Sequence, residues 1–262
     1  MNQAPLEIER HGCVATIWLN RPHVHNAFDE HLIAALTGTL AALDGDGGVR
    51  VVVLAGRGKS FCAGGDLDWM RRMSGFSEAE NLRDAGALAE MLRVLSTLSK
   101  PTIARVHGAA LAGGLGLVAA CDIAVAVPTA SFGTTEVRLG LIPATISPYV
   151  IDAIGARAAR RYFLTAERFD AEEARRLGLI HLLCPHESLD ERTAELAAAL
   201  LAGGPAALCA SKRLIHDVAG RVVDETLIGM TVKGIAEMRA GQEAREGIAA
   251  FFEKRKPTWD SR

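Results

Sequence analysis

The chain has 262 residues, of which 49% are apolar and 23% charged, so its composition is that of a globular protein with a sizeable core. The net charge is −2, and no basic run exceeds residues 254–256, which argues against a broad nucleic-acid surface. Its five cysteines include no C-x-x-C pair, which favours a reduced, cytoplasmic compartment over a disulfide framework.

The amino-terminal residues 1–11 contain no apolar run, so we expect no secretory signal. No uninterrupted apolar segment reaches about 18 residues, the length that a membrane-spanning helix needs. We therefore expect no transmembrane helix and no membrane partner.

Strand and helix patterns alternate along the first half of the chain. Residues 14–19 predict a strand, and Asp29 is placed to cap a helix that carries leucines at helical spacing. Further elements are predicted as strands over 49–54, 102–106 and 123–127, a helix over 78–98 and a buried helix over 115–121. Repeated strand-then-helix units indicate an α/β core, but the pattern alone does not distinguish a doubly wound sheet from other windings.

The strand signal ends at about residue 200, where Gly203, Gly204 and Pro205 form a breaker. Helices are predicted beyond it over 205–219, 222–237 and 241–253. We therefore divide the chain into a core over 1–200 and a helical region over 201–262. A helix group outside an α/β core often packs against a neighbouring subunit.

Two glycine-dense stretches flank an apolar strand, FCAGGDL at 61–67 and VHGAALAGGLGL at 106–117. Glycine lets a backbone approach a ligand or another segment closely. Two such turns, each with a free amide, can direct two N–H groups at one oxygen, which is the geometry of an oxyanion hole. A helix that begins near Gly113 adds its positive end to the same place.

Five segments in this order resemble the enoyl-CoA hydratase/isomerase, or crotonase, family. They are LNRP with NAF at 19–28, FCAGGDL at 61–67, the second glycine stretch continued by CDI at 121–123, SFGTTE with GLIP at 131–143, and AFFEKRKP at 250–257. The resemblance implies a crotonase (ClpP-like) spiral of ββα units that binds acyl-CoA. It also implies a carboxy-terminal helical region that forms a trimer, commonly paired into a hexamer.

The resemblance assigns catalytic roles to three positions. The N–H groups of Gly65 and Gly113 are the expected oxyanion donors, which stabilise the enolate of a thioester. Glu136 stands where the family places its second active-site glutamate, and an apolar pocket would raise the pKa of this carboxyl toward the working pH. Glu136 is therefore the expected acid/base.

The resemblance also suggests coenzyme A contacts. The loop with Ala63, Gly64 and Asp66 is expected to lie along the coenzyme, although an aspartate there is also a natural helix cap. Part of the tail, near Lys254, is expected to close the coenzyme pocket of its own or a neighbouring subunit. The sequence shows no metal-ligand spacing, dinucleotide fingerprint or Walker motif, so no permanently bound cofactor is expected and the substrate is carried as a coenzyme A thioester.

One position departs from the two-glutamate hydratases, because Gly116 replaces their first glutamate. The segments EVRLGLIPATISP at 136–148 and ARRYFLTAERF at 159–169 instead resemble a bacterial branch associated with 3-methylglutaconyl-CoA and carboxygeranoyl-type hydratases. Such substrates carry a second carboxylate, which Arg71, Arg72 or Arg138 is placed to hold. Restoring a glutamate at position 116 is expected to raise hydration of crotonyl-CoA, provided that the larger side chain fits.

Two alternatives remain at this point. A Δ3,Δ2-enoyl-CoA isomerase would use Glu136 as a single proton shuttle between C2 and C4. A binding protein that keeps the fold without turnover, with RNA or another partner, is the alternative from a different class. The near-neutral charge and the absence of a basic stripe count against RNA.

Overall fold

Residues 4–260, which the computed structural model describes, form nine strands and ten α-helices. The strands are β1 (Leu6–His11), β2 (Val14–Leu19), β3 (Val51–Gly56), β4 (Thr102–Val106), β5 (Ala109–Leu111), β6 (Ile123–Ala126), β7 (Ser131–Gly133), β8 (Phe169–Asp170) and β9 (Leu182–Leu183). The helices are α1 (Glu30–Gly45), α2 (Leu67–Met73), α3 (Glu78–Thr97), α4 (Gly113–Ala120), α5 (Ser147–Thr165), α6 (Ala171–Leu177), α7 (Leu189–Ala202), α8 (Pro205–Val218), α9 (Glu225–Ala240) and α10 (Gln242–Phe252).

The strands form two sheets, and two successive turns of the chain, β4-β5 and β6-β7, each add one strand to both sheets. The larger sheet has the order β1-β2-β3-β4-β6-β9, and the smaller has the order β5-β7-β8. The chain passes from β4 to β5 and then into α4, and from β6 to β7 and then toward α5. This ββα repeat is the winding that distinguishes a spiral from a doubly wound sheet.

The core lies between the larger sheet and the helices that cover it. Every residue of β3 and β4 is buried, as expected for central parallel strands with both faces covered. The predicted strands over 14–19 and 102–106 have the bounds of β2 and β4, whereas β3 begins two residues later than predicted. The apolar stripes of α1 and α3 belong to the same buried core as this sheet, through Leu32, Leu36, Leu40, Met91, Leu92 and Leu95.

Local capping accounts for where several helices begin. The Asp29 side chain accepts the N–H of Leu32 at 2.8 Å and caps α1, as the sequence indicated. The second helix of the carboxy-terminal region begins three residues later than predicted. Asp224 accepts the N–H of Leu227 at 2.8 Å and so starts α9 at Glu225.

Within residues 4–260, no single helix is long and apolar enough to cross a membrane. One pair, His186–Ala202 with Pro205–Val218, has the length and composition of a span only when the two helices are taken together, and they meet at a bend of 103°.

Candidate active site

Three neighbouring parallel segments end at one edge of the smaller sheet. β5 pairs in parallel with β7, and Cys62 forms a parallel bridge to Ala110 on the other side of β5. Cys62 donates its N–H to the Ala109 carbonyl at 3.0 Å and accepts the N–H of Leu111 at 3.0 Å. The carboxyl ends of parallel segments meet at one edge, so the loop at 63–66, the start of α4 and the turn that begins at Glu136 lie together.

The Gly65 loop is held by hydrogen bonds on either side of this glycine. Phe28 donates its N–H to the Gly64 carbonyl at 2.7 Å, and Asp66 donates its N–H to the Phe28 carbonyl at 2.7 Å. Gly64 adopts a φ of 95°, a conformation that favours glycine. Within residues 4–260 the Gly65 N–H has no hydrogen-bond acceptor, so this amide is available to a ligand.

Gly113 opens α4, an entirely apolar and almost fully buried helix. The preceding residue is anchored, because Ala112 donates its N–H to the Gly133 carbonyl at 2.8 Å. The Gly113 N–H has no acceptor in the described part of the chain and belongs to the positive end of the helix. Packing also demands glycine here, since a Cβ on Gly113 would lie 2.4 Å from Cε2 of Phe28.

Glu136 follows β7 and begins a 3-10 turn, Glu136–Leu139. The side chain is half-buried, and burial raises the pKa of its carboxyl, while the backbone N–H groups of Glu136 and Thr135 act in the opposite direction. Its Oε2 atom is buried and finds no hydrogen-bond donor among residues 4–260. A half-buried carboxyl with an unengaged oxygen is suited to accepting and returning a proton.

Asp66 caps α2. Its Oδ1 accepts the N–H groups of Asp68 and Trp69, and its Oδ2 lies 3.0 Å from Nη2 of Arg21. Burial acts to raise the pKa of Asp66, but these N–H donors and the arginine together hold it below its usual value. The Ala63 N–H is also engaged, by the His25 carbonyl at 3.0 Å. The N–H groups of Ala63 and Asp66 and the Asp66 carboxylate are therefore engaged within the chain, whereas the Gly65 N–H is not.

The space beside Gly116 is already filled. A Cβ on Gly116 would lie 2.3 Å from Cγ2 and 2.9 Å from Cβ of Ile146, which is 1% exposed. Ile146 would have to move before a glutamate side chain fits at position 116, so the condition attached to that variant is not met in this structure. Ile146 belongs to the segment EVRLGLIPATISP at 136–148, and its branched side chain needs the room that Gly116 leaves.

The three candidate arginines have different surroundings. Arg71 pairs with Asp68 at 2.6 Å, and Nη2 of Arg72 lies 2.8 and 2.7 Å from the two carboxylate oxygens of Glu30. Arg138 is exposed, two residues after Glu136, and has no carboxylate partner in the described chain. Among these three arginines, Arg138 is the one that can bind a substrate carboxylate without first breaking an ion pair.

Lys254, expected near the coenzyme, lies just beyond α10 and is exposed. Its side chain makes no hydrogen bond or ion pair with any other residue between 4 and 260. The single chain therefore does not bring Lys254 to the glycine loops by any polar contact.

Other reactive side chains near the glycine loops are structural. Burial raises the pKa of the Cys62 thiol to about 12, so it is protonated at neutral pH. Nε2 of His107 lies 2.8 Å from the Gly58 carbonyl oxygen, and burial lowers the pKa of the imidazole. Within residues 4–260 no group of three or more His, Cys, Asp or Glu side chains is arranged to hold a metal ion.

Sequence reasoning assigned no role to Arg21 or Phe28, although both lie in segments that it singled out. Arg21 bridges the two helix-capping aspartates, with Nη2 2.9 Å from Asp29 and 3.0 Å from Asp66. No local pattern predicts this bridge, because the two caps are separated by the whole of α1 and β3.

Comparison with known proteins gives consistent matches along the chain. The sequence model of the enoyl-CoA hydratase/isomerase family matches residues 9–262. The crotonyl-CoA hydratase of Syntrophomonas wolfei is 30% identical, with 97% of each chain covered. The short-chain-enoyl-CoA hydratase of Clostridium acetobutylicum is 31% identical, with 95% of each covered. The crystal structure of an enoyl-CoA hydratase from Shewanella pealeana superposes with a TM-score of 0.95 at 43% identity, covering 97% of this chain and 96% of that one.

Proposed function

Because the chain belongs to the enoyl-CoA hydratase/isomerase family, we propose that it hydrates a 2-enoyl-CoA, with the Gly65 and Gly113 amides as oxyanion donors and Glu136 as acid/base. One observation carries the proposal. Two backbone N–H groups without acceptors in the described chain, and a half-buried carboxyl with an unengaged oxygen, are delivered to one edge by three adjacent parallel segments.

The proposed reaction passes through a thioester enolate. Water adds its oxygen to C3 as Glu136 accepts one of its protons, and the electron pair of the C2–C3 double bond moves toward the thioester oxygen. The Gly65 and Gly113 amides stabilise the negative charge there, each by roughly 3–4 kcal/mol in the manner of an oxyanion-hole donor. Glu136 then returns the proton to C2, so the net change is the addition of one water. The raised pKa of its carboxyl suits both transfers.

The proposed substrate class is a branched enoyl-CoA with a second carboxylate, such as 3-methylglutaconyl-CoA. Position 116 offers no carboxylate to help orient water. The apolar side chain of Ile146 fills the space beside it. A substrate carboxylate supplies the missing polar group near the water. Arg138, close to Glu136 in sequence and without an ion-pair partner in the described chain, is the proposed holder of that carboxylate.

A substrate panel tests this class. We expect kcat/KM for 3-methylglutaconyl-CoA to exceed that for crotonyl-CoA by at least tenfold, about the discrimination that one well-placed charged hydrogen bond provides. Arg138→Met should remove most of this preference. Arg71→Met is the matched control, since Arg71 already pairs with Asp68. Equal kcat/KM for both substrates in the unmodified protein contradicts the substrate class and leaves the oxyanion hole intact.

Isomerisation is the second candidate, and the single carboxyl at the site favours it. A lone base that moves a proton between C2 and C4 needs no second glutamate and no water. Incubation with a 3-enoyl-CoA and with a trans-2-enoyl-CoA separates the two reactions, because only a hydratase forms the 3-hydroxy product.

We also propose that the helical region over 201–262 mediates assembly into a trimer or a dimer of trimers. Large apolar side chains on its helices are more than half exposed in the single chain, among them Ile215, Val232, Ile235, Phe251 and Phe252. Exposed apolar side chains grouped on a few helices are typical of a surface that another protein covers. The covering surface proposed here is a second copy of the chain.

A further inference from the structure

We propose that Phe28 is a positioning residue that sets the separation of the Gly65 and Gly113 amides. The inference rests on the proposed function, because it concerns how the two oxyanion donors are held. Phe28 contacts the first donor loop through its backbone and the second through its ring.

The backbone of Phe28 brackets Gly65. Its N–H donates to the Gly64 carbonyl and its carbonyl accepts the N–H of Asp66, both at 2.7 Å. These bonds form a parallel bridge between Phe28 and Gly65. The bridge occupies the polar groups on both sides of Gly65 and leaves the Gly65 N–H itself unengaged.

The ring of Phe28 lies against the first residue of α4. A Cβ built on Gly113 would fall 2.4 Å from Cε2 and 2.8 Å from Cδ2 of Phe28, so the ring packs directly on the Gly113 backbone. Phe28 is 1% exposed and belongs to the main core. A close-packed aromatic ring has no room to shift, so it fixes how near α4 approaches the Gly65 loop.

Arg21 holds the segment that contains Phe28 in place against the Gly65 loop. Its Nη1 donates to the Ala27 carbonyl at 2.6 Å, and its Nη2 bridges Asp29 and Asp66. All three ionised side chains of this cluster are largely shielded from solvent, with exposed fractions of 10–16%. Ala27 and Asp29, on either side of Phe28, are thus connected through Arg21 to Asp66 in the Gly65 loop.

The spacing of the two amides matters because both must reach one oxygen at hydrogen-bond distance. A displacement of about 1 Å in an active-site group can cost on the order of 10²-fold in rate. Binding of the coenzyme does not require both amides to reach one oxygen. A change in the separation of the two amides therefore lowers kcat much more than it raises KM.

The test compares Phe28→Leu with Phe169→Leu, the same change at another buried aromatic. Phe169 packs against Phe132 and Tyr162, whereas the side-chain atoms nearest a Cβ on Gly65 or Gly113 belong to Met70, Trp69 and Phe28. We expect both variants to lose thermal stability. Only Phe28→Leu should lower kcat by roughly 10- to 100-fold, the range for a displaced oxyanion donor, with KM changed by less than about threefold.

An absorbance measurement distinguishes a change in the position of the two amides from a general loss of core packing. Acetoacetyl-CoA bound in an oxyanion hole forms an enolate, whose ultraviolet absorbance reports stabilisation of the charged oxygen. We expect the unmodified protein and Phe169→Leu to show this band, and Phe28→Leu to lose most of it while still binding coenzyme A. If Phe28→Leu does not fold, Phe28→Met, which keeps more of the volume, is measured in the same way.

The outcomes are distinct. An active unmodified protein in which the Phe28 variant matches the Phe169 variant in kcat and in enolate absorbance overturns the positioning role alone. An unmodified protein that neither hydrates enoyl-CoA nor forms the enolate overturns the proposed function, and the role of Phe28 with it. Loss of kcat and of the band in the Phe28 variant alone supports the proposal.

Discussion

Gly116 and Ile146 are complementary in shape, and each depends on the other. A Cβ on Gly116 would lie 2.3 Å from Cγ2 of Ile146, closer than any real packing contact allows. Gly116 lies within α4 and Ile146 immediately precedes α5, and these two helices pack against each other. The absence of a glutamate at position 116 is therefore part of a two-residue arrangement rather than an isolated substitution.

This relationship predicts that Gly116→Glu alone fails to improve crotonyl-CoA hydration. Overpacking a well-filled core costs about 1–3 kcal/mol, and a buried carboxylate adds to that cost. The double variant Gly116→Glu with Ile146→Gly removes the obstructing side chain and should hydrate crotonyl-CoA faster than either single variant. Urea unfolding and kcat/KM for crotonyl-CoA check both statements. A stable and more active Gly116→Glu single variant would contradict the packing argument.

Glu136→Gln should reduce kcat by roughly 10²–10⁴, the usual contribution of a general acid–base group. The substitution keeps the size of the side chain, so KM and the thermal midpoint should change little. Glu172→Gln on α6 is a suitable control, because it makes the same change in the first turn of a helix with no part in the proposed site. Near-full turnover by a folded Glu136 variant would eliminate Glu136 as the acid/base.

The pH dependence of hydration should carry the signature of the Glu136 carboxyl. Burial raises its pKa above the ordinary 4.5, and the ionised form is the one that accepts the proton of water. Activity should therefore fall on the acidic side with an apparent pKa above 4.5. A profile of kcat/KM that stays flat down to the ordinary glutamate value would argue that a different group performs the transfer.

The raised pKa of Glu136 also predicts how the free energy of unfolding changes with pH. A raised carboxyl pKa contributes stability below the unfolded-state pKa, and this contribution is lost as pH rises through the folded-state pKa. Glu136→Gln remains neutral throughout. The free energy of unfolding of this variant, relative to the parent, should therefore increase between about pH 4 and pH 7. Urea unfolding at both pH values measures the difference, and a decrease would show that the carboxylate is stabilised in the folded state.

Thiol labelling should distinguish two classes of cysteine. Burial raises the pKa of Cys62 and of Cys121 to about 12, and that of Cys184 is raised as well. Cys13 and Cys209 are only half-buried. Iodoacetamide near neutral pH should modify at most Cys13 and Cys209 in the native protein, and all five cysteines in denaturant. Rapid native labelling of Cys62, read by mass spectrometry, would instead indicate an accessible thiol in the Gly65 loop.

The molar mass in solution tests the proposed assembly. At micromolar concentration we expect a trimer or a hexamer, because the apolar side chains exposed on α9 and α10 need a covering surface. Ile235→Asp or Phe252→Asp should lower the mass by placing a charge on that surface. Leu82→Asp is the control, since Leu82 is also exposed but lies on α3. A monomer in the unmodified protein rules the assembly out.

Much of the local structure follows from short-range patterns. The strands at 14–19 and 102–106 have the predicted bounds, because apolar runs bounded by polar or turn residues need no distant partner to be recognised. Asp29 and Asp66 cap helices, since their carboxylates accept N–H groups only two or three residues ahead. The start of α4 at Gly113 was likewise expected from the glycine turn before it.

The same local reasoning nominated the glycine turns and Glu136 as candidates, but it did not show their surroundings. Only the folded chain reveals that Phe28 lies between the two turns, that Ile146 fills the space beside Gly116, and that Glu136 is half-buried. These relationships join residues from different turns of the spiral. The amino-acid sequence alone therefore determined the elements, their caps and the family resemblance, which depend on neighbours along the chain. Tertiary packing decided which side chain occupies each space, because volume and hydrogen-bond partners at the site come from segments far apart in sequence.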